Sequence, residues 1–122
     1  MIWQLDFQSD TPLYLQLRNQ VVLSISAGEL KPGDRLPTIR ALSEESGINM
    51  MTVSKAYQLL KSEGYVYTDR RSGTVVAPRP LTVKPGEEAT DRLRLSLAEL
   101  KTQGLGDEEI LDLCRKCLKE EK

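Results

Sequence analysis

Apolar residues recur every four positions along the first part of the chain, at Leu13, Leu17, Val21 and Ile25, with Tyr14 beside them. That period predicts one apolar helix face running to about residue 27. Thr11 stands where an N-cap is expected and Pro12 at the first helical position, while Gly28 supplies the stop. Ahead of this helix, Ile2, Trp3, Leu5 and Phe7 lie among mostly polar neighbours, which suits a short extended arm over residues 2–9. Lys31-Pro32-Gly33-Asp34 is a turn. Thr38 then caps a second helix of about 38–46, Gly47 breaks it, and Asn49 caps a third. In that third helix Val53, Ala56, Tyr57 and Leu60 fall on one face, and Gly64 closes it. Tyr65-Val66-Tyr67-Thr68 and Thr74-Val75-Val76-Ala77 are rich in β-branched and aromatic residues and predict two strands. Asp69-Arg70-Arg71-Ser72-Gly73 joins them as a five-residue hairpin loop.

The pattern changes after residue 77. Pro78, Pro80 and Pro85-Gly86 mark a linker. Beyond it, helices of about 88–103 and 107–119 are expected, separated by Gly104-Leu105-Gly106. Ala89, Leu93, Leu97 and Leu100 form one apolar stripe; Ile110, Leu111, Cys114, Cys117 and Leu118 form another. Glu109 three residues after Gly106 makes a weakened capping box. Two short amphipathic helices do not bury both apolar faces by themselves, so they pack on the rest of the chain, on a second copy, or on both. The expected organisation is therefore a domain over 1–77, a linker over 78–87 and a helical tail over 88–122. The fold class is mainly α with a small β-hairpin wing. Two short helices joined by a tight glycine turn, followed by a hairpin with an Arg-Arg tip, have the layout of a winged helix-turn-helix. Small Ser43 and Gly47 suit the close helix crossing of that motif.

Charge sharpens this picture only when it is divided along the chain. The 122 residues sum to −1. Residues 31–79 carry eight Lys/Arg against five Asp/Glu, a net of +3, and residues 87–122 carry seven against ten, a net of −3. A basic middle with an acidic tail fits a nucleic-acid reader joined to an element that does not touch phosphate. No apolar run reaches the roughly eighteen residues of a membrane span, and the first residues show neither a basic nor an apolar leader region, so a cytoplasmic location is expected. The chain has no histidine, which removes Ser/His/Asp and Cys/His catalytic sets, and no phosphate-cradling glycine loop, so an enzyme is not expected.

A DNA-reading role gives each basic or polar position a task. The third helix belongs in the major groove with its N-terminal residues at base edges. Asn49, Met50, Met51, Thr52, Ser54 and Lys55 stand on or near that end. Thr52 and Ser54 can bond phosphate or base, with local capping as the competing role, and Lys55 can meet phosphate or guanine. Methionine can touch a thymine methyl but donates no hydrogen bond; the competing role for one of Met50 and Met51 is packing against Tyr57 or helix two. Arg70 and Arg71 suit the minor groove, where Gly73 lets the backbone come close. Tyr57 and Trp3 are expected to be packing residues. Cys114 and Cys117 share a helical face but lack two further metal ligands, so packing is their expected role, with metal or thiol sensing the alternative.

Pro12-Leu13-Tyr14, Leu30-Lys31-Pro32-Gly33-Asp34-Arg35-Leu36-Pro37-Thr38-Ile39-Arg40, Thr52-Val53-Ser54-Lys55-Ala56-Tyr57, Leu60-Lys61-Ser62-Glu63-Gly64-Tyr65 and Gly73-Thr74 follow one another at a spacing that resembles the N-terminal DNA-binding domain of the GntR family of bacterial transcription regulators. The resemblance covers roughly residues 8–77, and the short two-helix tail resembles the YtrA-type subfamily. It implies that Arg35 and Arg40, either side of Thr38, face DNA, whereas a surface ion pair with Asp34 or Glu44 is the competing role. Met50 and Met51 depart from the polar or basic residues many relatives carry. It further implies a homodimer reading a palindromic site in double-stranded DNA, with repression as the output. Leu93, Leu97, Leu100, Ile110, Leu111, Cys114 and Leu118 are the expected dimerisation residues. No cofactor or metal is expected. A small-molecule effector would have to act at the dimer interface or through the Pro-rich linker, because the tail is too short to enclose one.

Overall fold

The computed structural model describes residues 3–78 and 86–119. The chain divides into two compact units, residues 1–80 and 81–122. The first contains α1 (Leu13–Ser26), α2 (Ile39–Ser46), α3 (Met50–Ser62), β1 (Val66–Asp69) and β2 (Gly73–Val76); the second contains α4 (Glu87–Thr102) and α5 (Asp107–Lys119). Residues 79–85, most of the expected linker, lie outside the described residues.

Helix α3 is the centre of the first unit, packing on α1, α2 and β1. Val53, Ala56, Tyr57 and Leu60 are buried on one side of it, as their spacing requires. They meet Leu17 and Val21 from α1, Leu42 from α2, Val66 from β1, and Leu36 and Ile48 from the segments between. Fully burying a side chain the size of Leu17, Leu42 or Leu60 contributes about 1.5–3 kcal/mol, so this cluster dominates the stability of the unit. The Tyr57 hydroxyl crosses the core and donates to the Pro37 carbonyl at 2.7 Å, tying the middle of α3 to the residue before the α2 cap. At the far end of α3, Glu63 takes both Nε and Nη2 of Arg18 from α1, at 2.8 and 3.1 Å, and the same guanidinium lies over the Tyr65 ring.

The helix ends are set locally. Gly64 sits at φ +85°, where a side chain would be strained, and lets the Tyr65 N–H turn back to the Leu60 carbonyl. At the start of α1 the structure corrects the sequence reading by one residue. Pro12 is the N-cap, and its carbonyl accepts from Leu15 and Gln16; Thr11 makes no cap, because its N–H goes to Ser9 Oγ and its carbonyl to Gln16 Nε2. The arm is held by two glutamines one turn apart on α1. Gln16 and Gln20 each exchange hydrogen bonds with the backbone of Asp6 and Gln4, in the manner of a strand partner. Trp3 and Leu5 thereby pack on the core, whereas Phe7 is exposed.

The hairpin is tighter than expected. Asp69 pairs with Gly73, leaving only Arg70, Arg71 and Ser72 in the loop, because the Asp69 carboxylate accepts the Arg71 N–H at 2.8 Å. Residues 33–36, expected only as turn and lead-in, run alongside β2 as well: Gly33 donates to Val76, Leu36 to Thr74, and Val76 back to Asp34, with Arg35 bridging Val75. In the second unit α4 and α5 pack together, and Glu109 Oε1 accepts the Gly106 N–H at 2.8 Å, completing half of a capping box.

Tyr57→Phe removes the bond to Pro37 and leaves a carbonyl without its partner, at a cost of about 1–2 kcal/mol measured by thermal or urea unfolding. Burial, and then the negative charge of Glu45, push the Tyr57 phenol well above the ordinary tyrosine value. The protonated form is favoured by folding, so this contribution is complete below the unfolded value of about 10 and is lost as pH rises from there toward the folded value. The Phe variant should show a shallower alkaline loss of stability than the parent.

Candidate nucleic-acid interface

The turn between α2 and α3 is built almost wholly from short side chains bonding their own backbone. Thr38 Oγ1 accepts the Ala41 N–H at 3.0 Å and opens α2. Gly47 takes φ +78° and ends it, since the reversal there needs the left-handed region. Ser43 Oγ donates to the Ile48 carbonyl at 2.5 Å, and Ser46 Oγ accepts the Ile48 N–H at 3.2 Å. Asn49 Oδ1 then accepts the Met51 N–H at 2.7 Å and opens α3. The cap roles use only the accepting oxygens, so the Thr38 hydroxyl and the Asn49 amide nitrogen still have hydrogens to donate.

With one face of α3 in the core, the opposite face is determined by the helical period of about 100° per residue. Met51, Lys55, Gln58 and Ser62 lie on it, and all are exposed. Met51 is 80% exposed and Met50 49%, and neither is among the apolar side chains packed against the core cluster. Thr52 and Ser54 are half-buried on the flanks, and Asn49, not they, caps the helix. Lys55 reaches sideways: its Nζ stands 4.1 Å from the centroid of the Tyr14 ring at the start of α1, a cation–π contact that steadies the ammonium without burying it. Gln58 went unnoticed in the sequence, although it lies seven residues beyond Met51 and hence two turns along the same face.

Arg35, Arg40, Arg70 and Arg71 are all exposed, and among the described residues none forms an ion pair. Arg35 and Arg40 do not pair with Asp34 or Glu44; the Asp34 carboxylate accepts the Lys31 N–H instead, at 2.8 Å. Arg35 is fixed through its backbone bridge to Val75, and Arg70 and Arg71 form the tip of the same small sheet, with Gly73 at φ +79° exposed beside them. In the second unit Arg94, Lys101 and Arg115 each have a carboxylate partner at 2.9–3.5 Å, whereas among the described residues Arg92, Lys116 and Lys119 form no ion pair. Its cysteines are free thiols, Cys114 half-buried and Cys117 exposed, and among the described residues no three His, Cys, Asp or Glu side chains stand together as a metal site. Ile110 is buried at 6% exposure within the single chain and so offers little to a partner. Leu93, Leu111 and Leu118 are exposed, Leu97 and Leu100 half-buried, and Leu95, not singled out in the sequence, is exposed too.

Residues 13–76 match the family model described as bacterial regulatory proteins, gntR family. The chain is 33% identical over 111 residues to YhcF of Bacillus subtilis (strain 168), an HTH-type transcriptional regulator, covering 87% of this chain and 89% of that protein. It is 40% identical over 79 residues to the HTH-type transcriptional repressor YtrA of the same organism, covering 65% and 61% of the two chains. Among solved structures it is similar to YtrA from Sulfolobus acidocaldarius, a GntR-family transcription factor, with 36% identity, a TM-score of 0.65 and coverage of 82% and 99%. AraR(DBD) in complex with operator ORX1 is similar at 28% identity and a TM-score of 0.56, covering 63% of this chain and 99% of that one.

Asn49→Ala removes the side chain that opens the outward-facing helix. The expected loss is about 1 kcal/mol of stability in thermal unfolding, with a smaller loss for Asn49→Asp, which keeps the accepting oxygen.

Proposed function

The chain belongs to the gntR family of bacterial regulatory proteins and is of the YtrA type, and from that premise we propose that it is a homodimeric repressor that occupies a palindromic DNA operator. Members of this family are transcription regulators rather than enzymes. The observation that carries the proposal is the set of four exposed guanidinium groups, Arg40 on α2 and Arg35, Arg70 and Arg71 on or beside the small sheet, the elements next to a helix whose free face is held outward by its own core packing. Arginines that form no ion pair among the described residues are available to phosphate or a guanine edge, where the planar fork bonds twice. The domain over residues 1–77, within the first unit, then serves as the reader. Thr38, Asn49, Met50, Met51, Thr52, Ser54, Lys55 and Gly73 complete its surface. Phosphate contacts supply affinity and its salt dependence, while α3 and the wing supply sequence preference.

Residues 88–122 serve as the dimerisation tail, joined by the linker over 78–87. Leu93, Leu97, Leu100, Leu111, Cys114 and Leu118 form its face, and the exposed leucines among them gain by leaving water. Like YtrA of Bacillus subtilis, which is named a repressor, the protein acts by occupying a promoter. A two-fold dimer imposes two-fold symmetry on its site, with half-sites about 10 bp or a multiple apart. No helix among the described residues is long and apolar enough to cross a membrane, and the protein works in the cytoplasm. An effector would act by shifting the tail relative to the reader.

Fluorescence anisotropy with DNA from upstream of its own gene, in the presence of random competitor, tests the reading. Binding that survives competitor, weakens steeply with salt and saturates at two protomers per site is expected. Arg40→Ala and Arg71→Ala should each weaken it and flatten the salt slope by about 1 if the lost contact is to phosphate. Equal binding to random DNA would refute an operator role. For the tail, Leu111→Asp should shift the protein from dimer to monomer in sedimentation while leaving each protomer folded, because Leu111 is exposed in the single chain.

A further inference from the structure

We propose that Met51 reads the C5-methyl group of one thymine in each operator half-site, so that this position is recognised by an apolar contact and not by a hydrogen bond. The inference rests on the DNA-reading role proposed above and gives that role a specific chemical content.

Direction comes first. The buried face of α3 is Val53, Ala56, Tyr57 and Leu60, and at about 100° per residue Met51 stands opposite its midpoint, in line with Lys55 and Gln58. Met51 is therefore the first side chain that α3 aims outward. Met50 is turned about a quarter of the way round and is less exposed, at 49% against 80%.

The first turn offers little else at that angle. The Met51 N–H is already taken by Asn49 Oδ1 at 2.7 Å, so the backbone there has no donor to give. One turn further on, the Lys55 ammonium is drawn to the Tyr14 ring, 4.1 Å from its centroid. What remains is a flexible, polarisable thioether chain that adapts to a small apolar neighbour.

Chemistry then selects the base. Of the groups that base pairs show in the major groove, only the thymine methyl is a projecting apolar group; cytosine has a bare ring C–H at that position, and the rest are hydrogen-bond donors and acceptors. Methionine set against guanine, adenine or cytosine edges would displace water without replacing its bonds, which is unfavourable. Set against thymine it removes two apolar groups from water together. The unpaired arginines at Arg35, Arg40, Arg70 and Arg71 provide the attraction to phosphate, so Met51 contributes selectivity without having to supply charge.

The test uses the full chain and an operator selected from randomised duplex DNA. Each thymine of the selected operator is replaced in turn by deoxyuridine, which lacks only the methyl group, and binding is followed by anisotropy. One thymine per half-site should be sensitive, with a loss of about fourfold, the equivalent of one buried methylene. Met51→Ala should bind the thymine operator about as weakly as the parent binds the uracil one, and should not distinguish the two. Met51→Leu, which remains apolar and helix-compatible, should keep the sensitivity. A parent protein indifferent to uracil at every position overturns the proposal, as does a sensitivity that persists in Met51→Ala; either result leaves the DNA-reading role standing. A selection that yields no sequence bound better than random duplex overturns both.

Discussion

Helix α3 is held by one side, and that constraint governs what the molecule can present. Val53, Ala56, Tyr57 and Leu60 are locked into a core made from α1, α2 and the first strand, and the Tyr57 hydroxyl pins the helix to Pro37. A buried hydrogen bond of this kind allows little rotation, since turning the helix breaks the bond and exposes apolar surface at once. The helical period then leaves Met51, Lys55 and Gln58 no choice but to face outward. Pro37 also lies immediately before the Thr38 cap, so the same bond sets where α2 begins relative to the middle of α3.

The distribution of ion pairs separates structural from available charge. Arg18 is committed inside the first unit, gripping Glu63 with two nitrogens and lying over Tyr65. Arg35, Arg40, Arg70 and Arg71 have no such partner, although Asp34 and Asp69 are their neighbours in sequence; both of those carboxylates are occupied by backbone N–H groups instead. Acids that tighten turns are thereby withdrawn from competition for the arginines beside them. In the tail, Arg94, Lys101 and Arg115 are paired locally along or between helices, where exposed pairs contribute little stability.

Leucines at 93, 95, 111 and 118 are exposed on the two tail helices. Isolated exposed leucines are commonplace, but several on a pair of short helices with little buried surface of their own are a reason for partnership. Exposed arginines stand on the first unit and exposed leucines on the second, so one small chain carries two opposite kinds of surface on separate units.

Much of this was legible in the residues themselves. The caps at Thr38 and Asn49, the glycine stops at 28, 47 and 64, and the periodic apolar faces are local features, determined by backbone conformation within a turn or two. They were enough to order the elements, and the burial of Val53 and Leu60 followed from spacing alone. The boundary errors were also local: Pro12 caps α1 in place of Thr11, and the hairpin loop closes to three residues because Asp69 bonds the Arg71 N–H. What only the tertiary structure decided are contacts between residues distant in the chain. Gln16 and Gln20 take up the arm backbone, residues 33–36 join β2, Arg18 meets Glu63 and Lys55 meets Tyr14. No short-range period encodes these pairings. They arise where packing brings distant polar groups within reach of one another, and the partner is then chosen by reach and by the need to satisfy backbone donors.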